Sequence, residues 1–257
     1  MRVMVDLNCD MGESFGTYKI ALDEEAVKYI TSANIACGFH AGDPQVMAKT
    51  VDMSVSQGVG LGAHPGYPDL MGFGRRDLGA TPNEVKNYII YQVGALMAFA
   101  NTKGSGLQHV KPHGALYNTA AVNKKIARAI AEALYAVDKN IIFMVLAGAE
   151  TEKAAQEVGL RHAREVFADR NYNSDGTLVA RSHPQSIIKD PAEAAKRMVE
   201  IVKTGRLKAL DGTVFNVEAD SICVHGDTPG AIKHMINLRQ ALEGAGIEVR
   251  PMGEFIK

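Results

Sequence analysis

The sequence predicts an α/β protein built on parallel strands. Three observations carry this. Seven short apolar runs alternate with helical stretches along all 257 residues. The helical stretches open on recognisable start signals, and polar residues gather at the ends of the runs. Strand–helix alternation repeated seven times implies parallel strands joined by right-handed crossovers. Two architectures satisfy it: a β/α barrel, complete or one strand short of eight, and an open doubly wound sheet. Both place a functional site at the C-terminal ends of the strands.

The strands are expected at about 2–9, 32–37, 59–64, 107–111, 140–147, 162–168 and 221–225. Asp43-Pro44 reads as a helix N-cap followed by proline at the first helical position. Thr81-Pro82-Asn83-Glu84 reads as a capping box before 82–102, and Asp190-Pro191-Ala192-Glu193 repeats that logic before 191–203. Thr228-Pro229 opens a last helix over about 229–243. Further helices are expected near 23–29, 121–136 and 150–158. Gly58, Gly104 and Gly205 stand where helices should end.

Composition narrows the class. A formal net charge of −1 gives no basic field for nucleic acid. The longest apolar runs, such as IIFMVLA at 141–147, are too short to span a bilayer. The N-terminus is too polar for a signal peptide. Three scattered cysteines form neither a disulfide framework nor a CxxC pair, so a reduced cytoplasmic setting is expected. No linker or repeat divides the chain, and 1–257 is expected to be one barrel domain.

Strand 1 carries Asp6, Asn8 and Asp10 at alternate positions, hence on one face. The same spacing brings His109, Lys111 and His113 together, then Glu165, Phe167 and Asp169, then Cys223, His225 and Asp227. His40, Asp43 and His64 follow the second and third strands. In a barrel these side chains converge on one mouth. Each alone has a bland reading: Asp43 as a helix cap, Asp6 as a hydrogen-bonded residue of the barrel floor. The set is harder to dismiss, because buried charges are costly unless paired. Cys9 and Cys37 have the opposite parity and should face the helices, while Cys223 has no activation signal. In the loop 67–79, Gly72 and Gly74 would let backbone approach a ligand, and Arg75-Arg76 would hold an anion or pair with Asp77. No Walker A or GxGxxG motif is present.

Three kinds of chemistry fit such a mouth. Histidines and an aspartate can bind a metal that activates water, although no HxH or HExxH spacing indicates it and no residue is assigned to a metal. A carboxylate or histidine can act as base while a lysine or histidine stabilises an oxyanion. The groups can also merely bind a polar ligand.

The segments DLNCDMGESFG, NIACGFHAGDP, GAHPGYPDLMGFGRRDL, HVKPHGALYN, EVFADRNY and VHGDTPGA together resemble the LamB/YcsF family across about residues 4–230. The resemblance implies a seven-stranded parallel β/α barrel, an incomplete TIM-like barrel of the glycoside hydrolase/deacetylase type. It implies the 5-oxoprolinase reaction, the ATP-dependent opening of the lactam 5-oxo-L-proline to L-glutamate. The chain would act as an A subunit beside separate B and C subunits, with ATP as co-substrate and any Mg2+ on a partner.

For that chemistry the catalytic candidates are Asp10 or His64 as base, with Lys111 and His113 on the developing charge. The substrate-binding or orienting candidates are Asp6, Asn8, His40, Arg75, Arg76, Asp169, His225 and Asp227. A metal-dependent carbohydrate deacetylase using Asp10, His40 and His64 as a triad, and a non-catalytic binding subunit, are the alternatives.

Overall fold

The structure is a computed structural model, and it describes residues 3–20, 22–224 and 230–257. His225, Asp227 and the Thr228-Pro229 helix start lie outside the described residues. Seven parallel strands close a barrel: β1 (Met4–Met11), β2 (Ser32–Ala36), β3 (Gly60–His64), β4 (His109–Val110), β5 (Ile142–Leu146), β6 (His162–Phe167) and, after a small hairpin, β9 (Ser221–Cys223). The hairpin pairs β7 (Arg206–Lys208) with β8 (Val214–Asn216) in antiparallel fashion. Strand β9 pairs with β6 on one side and with β1 on the other. That last pairing closes the cylinder and excludes the open sheet. Strand β10 (Glu248–Val249) adds only to the first residues of β1.

The crossovers are α1 (Asp23–Ala26), α2 (Pro44–Ser56), α3 (Pro82–Thr102), α4 (Gly114–Val122), α5 (Lys124–Val137), α6 (Glu150–Val158), α7 (Pro191–Thr204) and α8 (Ala231–Gly244). Their start signals work as chemistry predicts. Asp43 accepts hydrogen bonds from the Gln45 and Val46 amides, and Thr81 with Glu84 forms the reciprocal capping box. Asp190 caps α7 by a single bond from the Ala192 amide. The helix expected over 121–136 is α5, and a separate helix not expected from the sequence, α4, ends just before it, the two divided at Asn123. The Asn123 side chain caps α5, a competing backbone partner that interrupts an otherwise helical sequence. The hairpin β7–β8 and strand β10 were not expected from the sequence, being too short to show a period. Among the described residues no helix is long and apolar enough to cross a membrane.

Strand parity divides the barrel into two environments. Val5, Leu7, Cys9 and Met11 of β1 join Ile35, Leu61, Ala63, Val110, Phe143, Val145, Val166 and Ile222 in the large apolar core beneath the helices. Each fully buried aliphatic side chain there contributes about 1.5–3 kcal/mol. The opposite parity faces the barrel axis. Its lower part is apolar on one side, where Ile142, Met144 and Ala163 pack with Met252 of the short 3-10 turn Met252–Glu254. Its other side is polar, and strand β3 yields space to it. A Cβ on Gly62 would collide with the His109 ring, and one on Gly60 would lie 2.5 Å from Gln108 Nε2.

Gly62→Ala should therefore destabilise the fold by about 1–3 kcal/mol or more, through overpacking. Gly94→Ala, on the exposed side of α3 with nothing within 4 Å, should stabilise it by about 0.5–1 kcal/mol. Urea denaturation of the two variants checks the contrast. Equal responses would show that the barrel interior is not tightly filled at β3.

Candidate active site

The polar side of the interior begins at Asp6. It accepts hydrogen bonds from the hydroxyls of Thr31 (2.8 Å), Ser32 (2.5 Å) and Ser221 (2.5 Å). Burial pushes its carboxyl up to about 6, against those hydrogen bonds. Asn8 donates to Ser221 Oγ, and Asn34 donates to both Asn8 Oδ1 and Asp10 Oδ1. His109 Nε2 lies 2.7 Å from Asn34 Oδ1 and so carries the hydrogen. Burial pushes the His109 imidazolium down to about 3, with the Lys111 charge adding to the effect. This lower tier orients groups and does not face the cavity.

One turn of the barrel higher, Lys111 is only 3% exposed in its side chain. Its Nζ lies 2.8 Å from Glu165 Oε1, 3.2 Å from Asp10 Oδ1 and 3.1 Å from Cys223 Sγ. The Phe167 ring sits 5.2 Å from the ammonium. Burial alone would discharge the amine, but the two carboxylates outweigh it and hold its pKa well above the usual value. Glu165 is in turn fixed by the Tyr117 hydroxyl, 2.8 Å away. Burial keeps the Cys223 thiol protonated, so it is a packing neighbour of the ammonium and not a nucleophile.

The upper tier is histidine. His64 Nδ1 lies 2.7 Å from the Lys111 carbonyl, and His64 Nε2 3.4 Å from Asp10 Oδ2. His113, which immediately precedes α4, places Nδ1 3.0 Å from His64 Nε2 and Nε2 2.8 Å from the Phe73 carbonyl. His40 stacks on His113 with ring centroids 3.7 Å apart. Burial pushes His113 down to about 3 and His40 well below its usual value. Phe73 adopts φ 53°, rare for a bulky residue, which aims its carbonyl at His113. The next residue must be glycine, since a Cβ on Gly74 would meet His40 Cβ at 2.7 Å.

A cavity of about 330 Å³ opens above these tiers. Asp10, Glu13, His64, Lys111 and His113 form its base, and Arg75, Arg170 and Arg181 its rim. The remaining sequence candidates fall elsewhere. Asp43 is the α2 cap. Arg76 forks the buried carboxylate of Asp69, not Asp77, and its own side chain is 62% exposed. Gly72 and Gly74 admit the side chains of Asp69, Arg76, His40 and His113 rather than a ligand. Asp169 is buried beside Arg170 without lining the cavity.

Sequence reasoning missed Asn34, Tyr117 and Arg170 and gave Glu165 no role. Asn34 shares the parity of Ser32 on β2, a signal that was available. Tyr117 lies one helical turn after His113, on a helix not expected there. Glu13, at the rim loop, meets the histidines.

These features define a closed parallel β/α barrel with a cavity lined by buried carboxylates, histidines and a lysine at its C-terminal mouth. The chain belongs to the LamB/YcsF family, whose profile matches residues 5–257. It is 55% identical over 253 residues to the 5-oxoprolinase A subunit of Thermococcus onnurineus (strain NA1), covering 98% of this chain and 99% of that one. It is 51% identical over 250 residues to the 5-oxoprolinase A subunit of Bacillus subtilis (strain 168), covering 97% of each. The crystal structure of the lactam utilization protein from Thermus thermophilus superposes with a TM-score of 0.92 at 46% identity, over 97% of this chain and 100% of that one. A substrate-bound T48 deacetylase matches at TM-score 0.51 and 15% identity over 96% of this chain and 87% of that one, a likeness of fold alone.

The lower tier carries a pH signature. His109 binds its proton near 6.5 when unfolded but only near 3 when folded. Its contribution to stability is therefore present above 6.5 and lost as pH falls through that window, at up to about 1.4 kcal/mol per unit. Asp6 works the opposite way between 3.8 and about 6. His113, held near 3 in the same way, and His40, held well below its usual value, add to the His109 loss and outweigh Asp6, so denaturation midpoints measured from pH 7 to 4.5 should fall, and less steeply in His109→Gln. An unchanged slope in that variant would remove His109 from the account.

Proposed function

We propose that the chain is the A subunit of an ATP-dependent 5-oxoprolinase and that its barrel mouth opens the lactam ring of 5-oxo-L-proline to give L-glutamate. The observation that carries this is the buried Lys111 ammonium held against Asp10 at the base of the cavity, with His64 on the other oxygen of Asp10. The names of the relatives support the same reaction.

A lactam is a poor electrophile. ATP-dependent phosphorylation of its carbonyl oxygen, assigned here to B and C partner subunits, would make the ring carbon attackable. Attack of water on that carbon forms one C–O bond and breaks the ring C–N bond, passing a proton from water to nitrogen and leaving an acyl phosphate, which a second water splits to the free carboxylate and inorganic phosphate. Asp10, paired with His64, takes that proton and returns it to the leaving nitrogen. The Lys111 ammonium, fixed by Glu165, faces the charge that develops on oxygen. Arg75 at the rim meets the substrate carboxylate or phosphoryl group, with Arg170 and Arg181 beside it. His113 backs His64, while Asp6, Asn8 and His40 orient the groups in front of them. The three buried free thiols suit a reducing cytoplasmic location.

The test is glutamate release from 5-oxo-L-proline and ATP, with and without the partner subunits. Asp10→Ala and Lys111→Ala should lower turnover at least about a hundredfold while the fold persists. Arg75→Ala should raise KM more than it lowers kcat, whereas Arg76→Ala should leave turnover near wild type. Wild-type rates in both the Asp10 and Lys111 variants would place the chemistry on one of the other chains.

A further inference from the structure

The histidine tier is only partly used by lactam hydrolysis. Glu13, His40, His64 and His113 each bring one ligating atom into a common space, with those atoms all within 4.8 Å of one another. All four are buried. They come from the loops after β1 and β2, the end of β3 and the start of α4. Such a gathering is built by the fold, not by local sequence.

Hydrogen positions indicate what belongs between them. His64 Nδ1 must donate to the Lys111 carbonyl, and His113 Nε2 must donate to the Phe73 carbonyl. In neutral rings the other two nitrogens, His64 Nε2 and His113 Nδ1, then each present a lone pair, and they lie 3.0 Å apart. Facing lone pairs repel unless a positive species binds both. Two imidazole ligands on a tetrahedral zinc ion, with bonds of about 2.0–2.1 Å, stand roughly 3.3 Å apart. His40 is the second sign. It is fully buried, and among the described residues neither of its ring nitrogens has a hydrogen-bond partner. Its Nε2 lies 3.7 Å from Glu13 Oε1, which is also 3.7 Å from His113 Nδ1.

We propose that Glu13, His40, His64 and His113 form a binding site for one divalent transition-metal ion, with zinc best matched to three imidazoles and a carboxylate. The carbonyls of Lys111 and Phe73 are the outer contacts that set the tautomers of two ligands. The stacked rings of His40 and His113 must splay for both nitrogens to reach one ion. Asp10 is not needed as a ligand and remains the base. The set differs from the Asp10–His40–His64 triad considered from sequence, by Glu13 and His113.

The test needs neither lactam nor ATP, so its failure leaves the proposed reaction standing, and failure of that reaction leaves the site standing. Chelator-stripped protein is titrated with Zn(II) against a chromophoric competitor, and with Co(II) followed by its visible absorption. One equivalent per chain is expected, with a cobalt spectrum typical of a nitrogen-rich, low-coordinate site. Glu13→Gln and His40→Ala should each weaken zinc binding at least about tenfold. Lys49→Ala, whose side chain pairs with Glu24 at the surface, should bind as wild type does. Wild-type protein that binds no equivalent of Zn(II), Co(II), Ni(II) or Mn(II) overturns the proposal. So do Glu13 and His40 variants that bind as tightly as wild type. If His40→Ala does not fold, the wild-type titration and Glu13→Gln decide.

Discussion

The arrangement of the mouth depends on one buried ammonium. Lys111 sits almost wholly out of water between Asp10 and Glu165. An isolated charge there would cost several kcal/mol, and the cost is offset only if partners approach from fixed directions. Much of the barrel interior answers that requirement. Asn34 holds Asp10 in place, Asn8 Oδ1 accepts from the ammonium itself at 3.3 Å, and Tyr117 holds Glu165. Cys223 and Phe167 fill the remaining directions around the ammonium. Removing one carboxylate would leave the lysine underpaired, so these positions bind stability to function.

Much of this was legible in the sequence because a strand has a period of two. Asp6, Asn8 and Asp10 stand on one face whatever the fold, and so do Glu165 and Phe167. The closure of the barrel was not legible. It rests on β9 meeting β1 across more than two hundred residues, and three-residue strands show no period. Asn34 was overlooked because it looks like an ordinary strand polar residue until His109 and Asp10 are seen bonding to it. Tyr117 and Glu13 depend on an unexpected helix and on loop geometry. Arg76 shows the converse error: its guanidinium pairs with Asp69, seven residues earlier, and not with Asp77 beside it in sequence.

The glycines of the β3–α3 segment follow the same logic. A Gly-rich loop at a barrel mouth suggests close approach to ligand. Here the close approach is to protein. Gly66 and Gly74 pack directly on His40, and Gly114 packs on the Gly74 carbonyl. The loop thereby fixes the imidazoles from behind, and the strained Phe73 backbone supplies the carbonyl that selects the His113 tautomer. Strain stored in a loop is tolerated where it orients a reactive group.

Asp10 joins two electrostatic systems that are otherwise separate. Its Oδ1 accepts from Asn34 and Lys111, within the charged tier. Its Oδ2 faces His64 and, through it, the imidazoles that burial keeps neutral. A proton arriving on Asp10 would weaken its pull on Lys111 and at the same time change what His64 meets. No other described side chain touches both Lys111 Nζ and His64 Nε2 in this way. The alternating polar pattern of the first strand is thus not three equivalent groups. Asp6 is locked into the floor, Asn8 relays orientation, and Asp10 alone reaches the cavity with an oxygen on each side of the chemistry.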